Sequence, residues 1–130
     1  MTTTVNEIMS RRLLTVDPAT ALSDAAQQMD RRAVGAVLVL SEARLVGILT
    51  ERDILRAVAA GKAESSSVRD WMTHNPETIE PSDRVGHAAS IMIHGGFRHL
   101  PVLEGSEAVG IISIRDLVRI VIDDESPRGA

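Results

Sequence analysis

Two stretches decide the fold: GILTERDI at residues 47–54 and GIISIRDL at residues 110–117. Each begins as an apolar run with strand character and then places a hydroxyl residue, an arginine and an aspartate before a second apolar segment. Shifting the sequence by 63 residues aligns the first stretch with the second. Sixteen of the 54 pairs from Val5/Val68 to Val58/Val121 are then identical without a gap. The chain is therefore predicted to contain a duplicated unit.

The predicted elements follow the same order in both repeats. A short lead-in precedes an extended segment with a proline turn (TVDPAT at 15–20 and TIEPSD at 78–83), followed by an amphipathic helix. Gly35 in the first repeat and Gly95-Gly96 in the second are expected to end this helix. Two apolar runs joined by a polar turn predict a hairpin, and a final amphipathic helix follows it. Each repeat thus has about three short strands and two helices.

A repeat of this size is too small to be stable alone, so we expect the two repeats to share a core. The fold class is predicted to be α+β, an α/β sandwich-like arrangement in which two sheets pack in pseudo-twofold fashion. The predicted organisation is a first motif at 5–60, a linker at 61–67, a second motif at 68–122 and a flexible C-terminal tail at 123–130.

Composition excludes several classes of function. The 130 residues are 44% hydrophobic, which suits a globular core, and the absence of cysteine excludes disulfides and thiolate chemistry. The apolar runs are too short for a membrane span and the N-terminus has no secretory signal pattern, so a cytoplasmic location away from the membrane is expected. A net charge of −4, with one Phe, one Trp and no Tyr, argues against nucleic-acid binding.

The hydroxyl–aspartate pairs have a purely structural interpretation. Thr50 with Asp53, and Ser113 with Asp116, have the spacing of a capping box, in which side chains satisfy the free N–H groups at a helix start. The carboxylate also suits the positive end of the helix dipole. However, both repeats use Asp where a capping box prefers Glu or Gln, and an arginine precedes each Asp. Capping alone does not explain this recurrence.

The paired units resemble the cystathionine-beta-synthase (CBS) domain. The resemblance rests on the opening T-[VI]-x-P, an amphipathic helix ending near glycine, and the closing G-[IVL]-[IVL]-[ST]-x-[RK]-D-[IL], all present twice in order. It covers the chain from about residue 5 to about residue 122 and implies a tandem pair, or Bateman module. Such pairs commonly bind AMP, ADP, ATP or S-adenosylmethionine in clefts between the two motifs' sheets.

The resemblance also implies roles for individual residues. Asp53 and Asp116 would bind ribose hydroxyls, with Thr50 and Ser113 beside them. The opening segments would line the base pocket, and Arg98 and His99 would face phosphates, although a solvated strand edge and a half-buried histidine are the alternative for these two. The aligned Gly35 and Ala36 carry no charge, so inequivalent clefts are expected. The full predicted nucleotide-binding set is Thr15, Val16, Thr50, Arg52, Asp53, Thr78, Ile79, Arg98, His99, Pro101, Ile112, Ser113, Arg115 and Asp116.

Catalytic and metal sites are not predicted. The four histidines, His74, His87, His94 and His99, lack the paired spacing of a metal site. A hydrolytic triad of Ser113, His99 and Asp116 can be written down, but the G-x-S-x-G elbow is missing and the Ser–Asp spacing suits a cap. The chain is therefore expected not to be an enzyme and to hold no cofactor beyond its regulatory ligand.

The sequence leaves two functions open. The first is a regulatory module that senses an adenosine-containing small molecule and signals through a homodimer to an unknown partner protein. The alternative is a structural dimerisation module without a physiological ligand. The identity of the ligand, the number of occupied clefts and the orientation of the dimer are not determined by the sequence.

Overall fold

The structure is a computed structural model that describes residues 3–125. Its elements are α1 (Val5–Ile8), β1 (Thr15–Val16), α2 (Leu22–Arg32), β2 (Ala36–Ser41), β3 (Arg44–Thr50), α3 (Glu51–Ala59), α4 (Val68–Trp71), β4 (Thr73–His74), α5 (Val85–Gly95), β5 (His99–Glu104), β6 (Glu107–Ser113) and α6 (Ile114–Glu125). Helices and strands are mixed along the chain, and the strands form two sheets, so the predicted α+β class is confirmed.

The chain divides into two compact units, named here for the aspartate that each contains. The Asp53 unit comprises Arg12–Pro76 and Gly105–Ala108. The Asp116 unit comprises Met1–Arg11, Glu77–Glu104 and Val109–Ala130. Neither unit follows the repeat boundaries, because each takes the lead-in of the other repeat.

The Asp53 unit contains a four-stranded sheet in the order β1-β2-β3-β4. Strands β2 and β3 form the predicted hairpin, with Ala36 opposite Thr50. Strand β1 joins β2 in parallel, and the N–H of Leu38 donates to the carbonyl of Leu14 at 3.0 Å. Strand β4 pairs with β3 on its other side. The end of β3, where Thr50 lies, is therefore next to the start of β2.

The Asp116 unit repeats this plan with a smaller sheet. Strands β5 and β6 pair as the second hairpin, but the segment around Ile79 forms only a single parallel bridge to Val102. Pro101 stands where the first repeat has Leu38, and proline has no N–H to donate. Its carbonyl still accepts from the N–H of Ile79 at 3.1 Å. The missing donor accounts for the loss of a regular third strand here.

The lead-in segments are exchanged between the repeats. In the Asp116 unit, the N–H of Val5 donates to the backbone carbonyl of Asp83 at 2.8 Å, and Ser10 forms an antiparallel bridge with Ile111. In the Asp53 unit, the N–H of Val68 donates to the carbonyl of Thr20 at 2.8 Å. This bond is equivalent to the first one, because the shift of 63 residues aligns Val5 with Val68 and Thr20 with Asp83. Each repeat thus completes the core of the other unit, which a reading of either repeat alone does not predict.

Apolar side chains form one core in each unit, where the sequence led us to expect a single core shared by the two repeats. Each of the two cores takes residues from both repeats. Val5 and Met9 of the first lead-in join the core of the Asp116 unit, whereas Val68 and Met72 join that of the Asp53 unit. The Asp53-unit core consists of Leu14, Val16, Leu22, Ala25, Met29, Val37, Val39, Leu49, Ala57, Val68 and Met72. The Asp116-unit core consists of Val5, Met9, Ile79, Val85, Ala88, Met92, Leu100, Val102, Ile112 and Leu117.

Several details differ from the sequence-based expectations. Both lead-ins form a helical turn, so each repeat has three helices rather than two. The third strand of the second repeat is β4, which pairs in the other unit's sheet. Helix α2 ends at Arg32 and is capped by Ala33, whose φ is +53°, and not by Gly35. Helix α6 continues to Glu125, so the first part of the tail predicted at 123–130 is helical, and 126–130 lie outside the described residues.

Candidate functional site

The Asp53 junction, residues 50–53 with residues 35 and 36, begins with a capping box. The backbone N–H of Thr50 donates to Asp53 Oδ2 at 2.9 Å, and the Thr50 hydroxyl lies 3.2 Å from the same oxygen. Asp53 is buried, with 7% of its surface exposed. Its other oxygen, Oδ1, lies 3.8 Å from a guanidinium nitrogen of Arg56.

The Asp116 junction, residues 113–116 with residues 98 and 99, has the same construction. The Ser113 N–H and hydroxyl donate to Asp116 Oδ2 at 2.8 and 3.0 Å, and the Asp116 N–H donates back to Ser113 Oγ at 3.2 Å. Unlike Asp53, Asp116 is half-buried. The capping interpretation is therefore confirmed in both repeats, and the Ser113 proton serves the cap.

Capping uses only one oxygen of each aspartate. All the capping bonds that the two carboxylates accept end at Oδ2, so Oδ1 lies outside the capping box in both. A carboxylate oxygen has two lone pairs and can accept two further donors, such as the hydroxyls of a vicinal diol. Capping and diol binding are therefore compatible in one side chain. Asp116 is the more accessible of the two for such a ligand.

Arg98 and His99 belong to the Asp116 junction. The N–H of Ile114, the first residue of α6, donates to the Arg98 carbonyl at 2.9 Å. Arg98 is exposed and His99, the first residue of β5, is half-buried. The backbone of Arg98 therefore lies at the start of the helix that carries Asp116.

The equivalent position in the Asp53 unit carries a feature that the sequence reading missed. The N–H of Glu51 donates to the Gly35 carbonyl at 3.0 Å, as Ile114 does to Arg98. The Glu51 side chain folds across Gly35, where a Cβ would lie only 2.6 Å from Glu51 Oε1. A shift of 63 residues aligns Gly35 with Arg98 and Glu51 with Ile114. From that alignment, the difference between the two junctions could have been found in the sequence.

The other predicted residues lie on strands, helices and the two opening segments of the repeats. Of the opening segments, Thr15 is exposed and Thr78 half-buried, while their apolar neighbours point into the cores. The arginines before the aspartates are exposed. The buried members of the predicted set, apart from Asp53, are Val16, Ile79, Pro101 and Ile112.

Within residues 3–125, no three histidine, aspartate or glutamate side chains come close enough together to hold a metal ion. No helix in the described part of the chain is both long enough and apolar enough to cross a membrane.

Comparison with known proteins identifies the family. The CBS domain model matches residues 5–60 and again 68–123. The chain belongs to the CBS-domain family. The CBS domain-containing protein YhcV of Bacillus subtilis is 31% identical over 127 residues, covering 97% of this chain and 91% of that protein. Other curated relatives are longer: the chain spans 43% of MJ1225 of Methanocaldococcus jannaschii and 21% of CBSCBSPB2 of Arabidopsis thaliana.

Two solved CBS structures resemble this chain and contain ligands. The CBS domain pair of protein MJ0100, in complex with 5′-methylthioadenosine and S-adenosyl-L-methionine, is 26% identical with a TM-score of 0.90, covering 96% of this chain and all of that one. CBSX2 in complex with AMP is 26% identical with a TM-score of 0.81, covering 95% and 98%. The CBS pair is a regulatory binding module and not a catalytic domain.

Proposed function

We propose that this CBS pair binds an adenosine-containing ligand, AMP, ADP, ATP or S-adenosylmethionine, and signals the bound state to a partner protein. The observation that carries the proposal is the Asp116 junction. Its half-buried carboxylate leaves Oδ1 outside the cap, and the carbonyl of an exposed arginine, Arg98, accepts from the first residue of the same helix. The carboxylate suits a ribose diol and the arginine suits a phosphate.

The ligands of similar proteins support this choice. MJ0100 binds methylthioadenosine and S-adenosylmethionine, and CBSX2 binds AMP. All three ligands contain adenosine and thus a ribose diol, and they differ in the group at the 5′ position. We infer that the part common to these ligands is what the two aspartates of this chain recognise. A cytoplasmic location stays a prediction from the sequence.

Isothermal titration with AMP, ATP and S-adenosylmethionine tests the proposal. We expect Asp116→Asn to lose most of the affinity, because an amide oxygen can still accept the capping bonds while the amide NH2 cannot accept a diol proton. Asp70→Asn is the matched control, since Asp70 forms the same box with Ser67 at 2.9 Å but is not a predicted ligand residue. Absence of heat with all three ligands in a folded sample would refute the proposal.

A homodimer is proposed from exposed apolar side chains on α3 and α6. Leu55 and Val58 are 66% and 57% exposed, and the equivalent Val118 and Val121 are 48% and 52% exposed. Contiguous apolar surface of this kind commonly marks an interface between proteins. These exposed side chains occur at equivalent positions in both repeats, which fits a contact between copies of a duplicated chain. Val121→Glu should convert the dimer to a monomer by light scattering, and an unchanged dimer would exclude this surface.

The same exposed faces also favour the second candidate, a dimerisation module without a physiological ligand. A thermal-shift panel of nucleotides separates the two functions. A ligand at one hundred times its Kd stabilises a protein that binds it only when folded by about 2.7 kcal/mol. A dimer whose melting temperature is unmoved by every adenosine compound would favour the structural role.

A further inference from the structure

The two junctions have the same backbone geometry but opposite side-chain charge. Residue 35 or 98 accepts a hydrogen bond from the first residue of the following helix in both units, at 3.0 and 2.9 Å. The Asp53 junction has Gly35 with Glu51, whereas the Asp116 junction has Arg98 with Ile114. A cation in one unit is thus replaced by a carboxylate in the other.

The position of Glu51 depends on the glycine. A Cβ at residue 35 would lie 2.6 Å from Glu51 Oε1 and 3.2 Å from Cδ, well inside ordinary contact. Any other residue at position 35 would therefore push the carboxylate away. In the Asp116 junction, Arg98 and Ile114 occupy the positions of Gly35 and Glu51. The two positions therefore differ together between the junctions.

Charge over the whole helix start differs in the same direction. Around the Asp53 junction, Glu51 and Asp53 offset the charges of Arg52 and Arg56, and the formal sum is zero. Around the Asp116 junction, the charges of three arginines, Arg98, Arg115 and Arg119, are offset by a single aspartate, and the sum is +2. A helix N-terminus normally attracts phosphate, but Glu51 already supplies negative charge at that of α3.

We infer that Glu51, folded across Gly35, excludes phosphorylated nucleotides from the Asp53 junction and leaves it to an adenosine derivative with a neutral or cationic 5′ group. The Asp116 junction takes the phosphorylated ligand. This inference rests on the proposed function, since it assumes that both aspartates hold a ribose. A like charge within a few ångströms of a phosphate at a protein surface weakens binding by on the order of tenfold.

The test isolates the Asp53 junction. Asp116→Asn keeps the α6 cap and silences the other site, and the variant is titrated with AMP and with uncharged 5′-methylthioadenosine. We expect methylthioadenosine to bind at least about tenfold more tightly than AMP. Adding Glu51→Gln should strengthen AMP binding by about tenfold and leave methylthioadenosine within twofold. Glu64→Gln is the control, because it removes the same charge from an exposed residue outside both junctions.

The possible failures are distinguishable. If the wild-type chain binds no adenosine compound, the proposed function and this inference fall together. If it binds AMP equally at both junctions, or if Glu51→Gln leaves AMP binding unchanged in the Asp116→Asn background, the inference is wrong while the proposed function stands. An effect of Glu64→Gln equal to that of Glu51→Gln would also overturn it, because the effect would then reflect net charge alone.

Discussion

Gly47 begins the first junction motif, and its replacement by alanine tests the exchange of lead-in segments. A Cβ at this position would lie 2.6 Å from Met72 Sδ, 3.0 Å from Met72 Cγ and 3.0 Å from the Thr73 carbonyl oxygen. Both residues come from the other repeat's lead-in, and Thr73 belongs to β4, which pairs with β3 at this point. Relief of the contact therefore requires backbone as well as side-chain movement.

The expected loss follows from two opposing effects. Overpacking a well-packed core costs about 1–3 kcal/mol, whereas replacing glycine by alanine stabilises by about 0.5–1 kcal/mol because it lowers the conformational entropy of the unfolded chain. The net destabilisation of Gly47→Ala should be about 1–2 kcal/mol. For a chain of this size, that lowers the melting temperature by roughly 3–10 °C.

Thermal melting by circular dichroism and urea unfolding at one protein concentration measure this loss. Gly86→Ala is the matched control, because no atom lies within 4 Å of its added Cβ and the residue is in helix α5. It should leave stability unchanged or raise it by about 0.5 kcal/mol.

A double-mutant cycle identifies the cause. In a Met72→Ala background, Gly47→Ala should cost at least about 0.5 kcal/mol less than in the wild type, because two of the three close contacts are gone. A Gly47→Ala protein as stable as the wild type would show that the lead-in does not pack against this strand.

Two further predictions concern the helix ends. Ala33 holds φ at +53° at the end of α2, where Gly96 stands with φ +73° at the end of α5. Ala33→Gly should therefore raise stability by about 1 kcal/mol and Gly96→Ala should lower it by a similar amount, as thermal melts will show. Asp53→Ala should destabilise by about 1–2 kcal/mol and Asp116→Ala by less, because Asp53 is buried and its loss leaves a part-buried N–H without its acceptor. If urea unfolding shows the same loss of unfolding free energy for both variants, burial of the aspartate does not decide the cost.

The duplicated order of elements was predictable because its signals are local. Apolar spacing identified α2, α3, α5 and α6, and a polar turn between apolar runs identified both hairpins. The capping boxes were predictable for the same reason, since Thr50 and Asp53 lie within one helical turn. Pro101 was also visible in the sequence, although its effect on strand pairing appeared only once its partner, Ile79, was known.

By itself, the sequence determined the duplicated order of elements, the α+β class and the two capping boxes, because apolar periodicity and cap spacing act over a few residues. Tertiary structure decided which core each lead-in completes, since Val5 and Val68 are equivalent by sequence and either core has a place for such a side chain. It also decided that capping uses only Oδ2, and that Glu51 lies across Gly35. These outcomes depend on distances between segments that are far apart in the chain or on side-chain rotamers, and neither is encoded in local spacing.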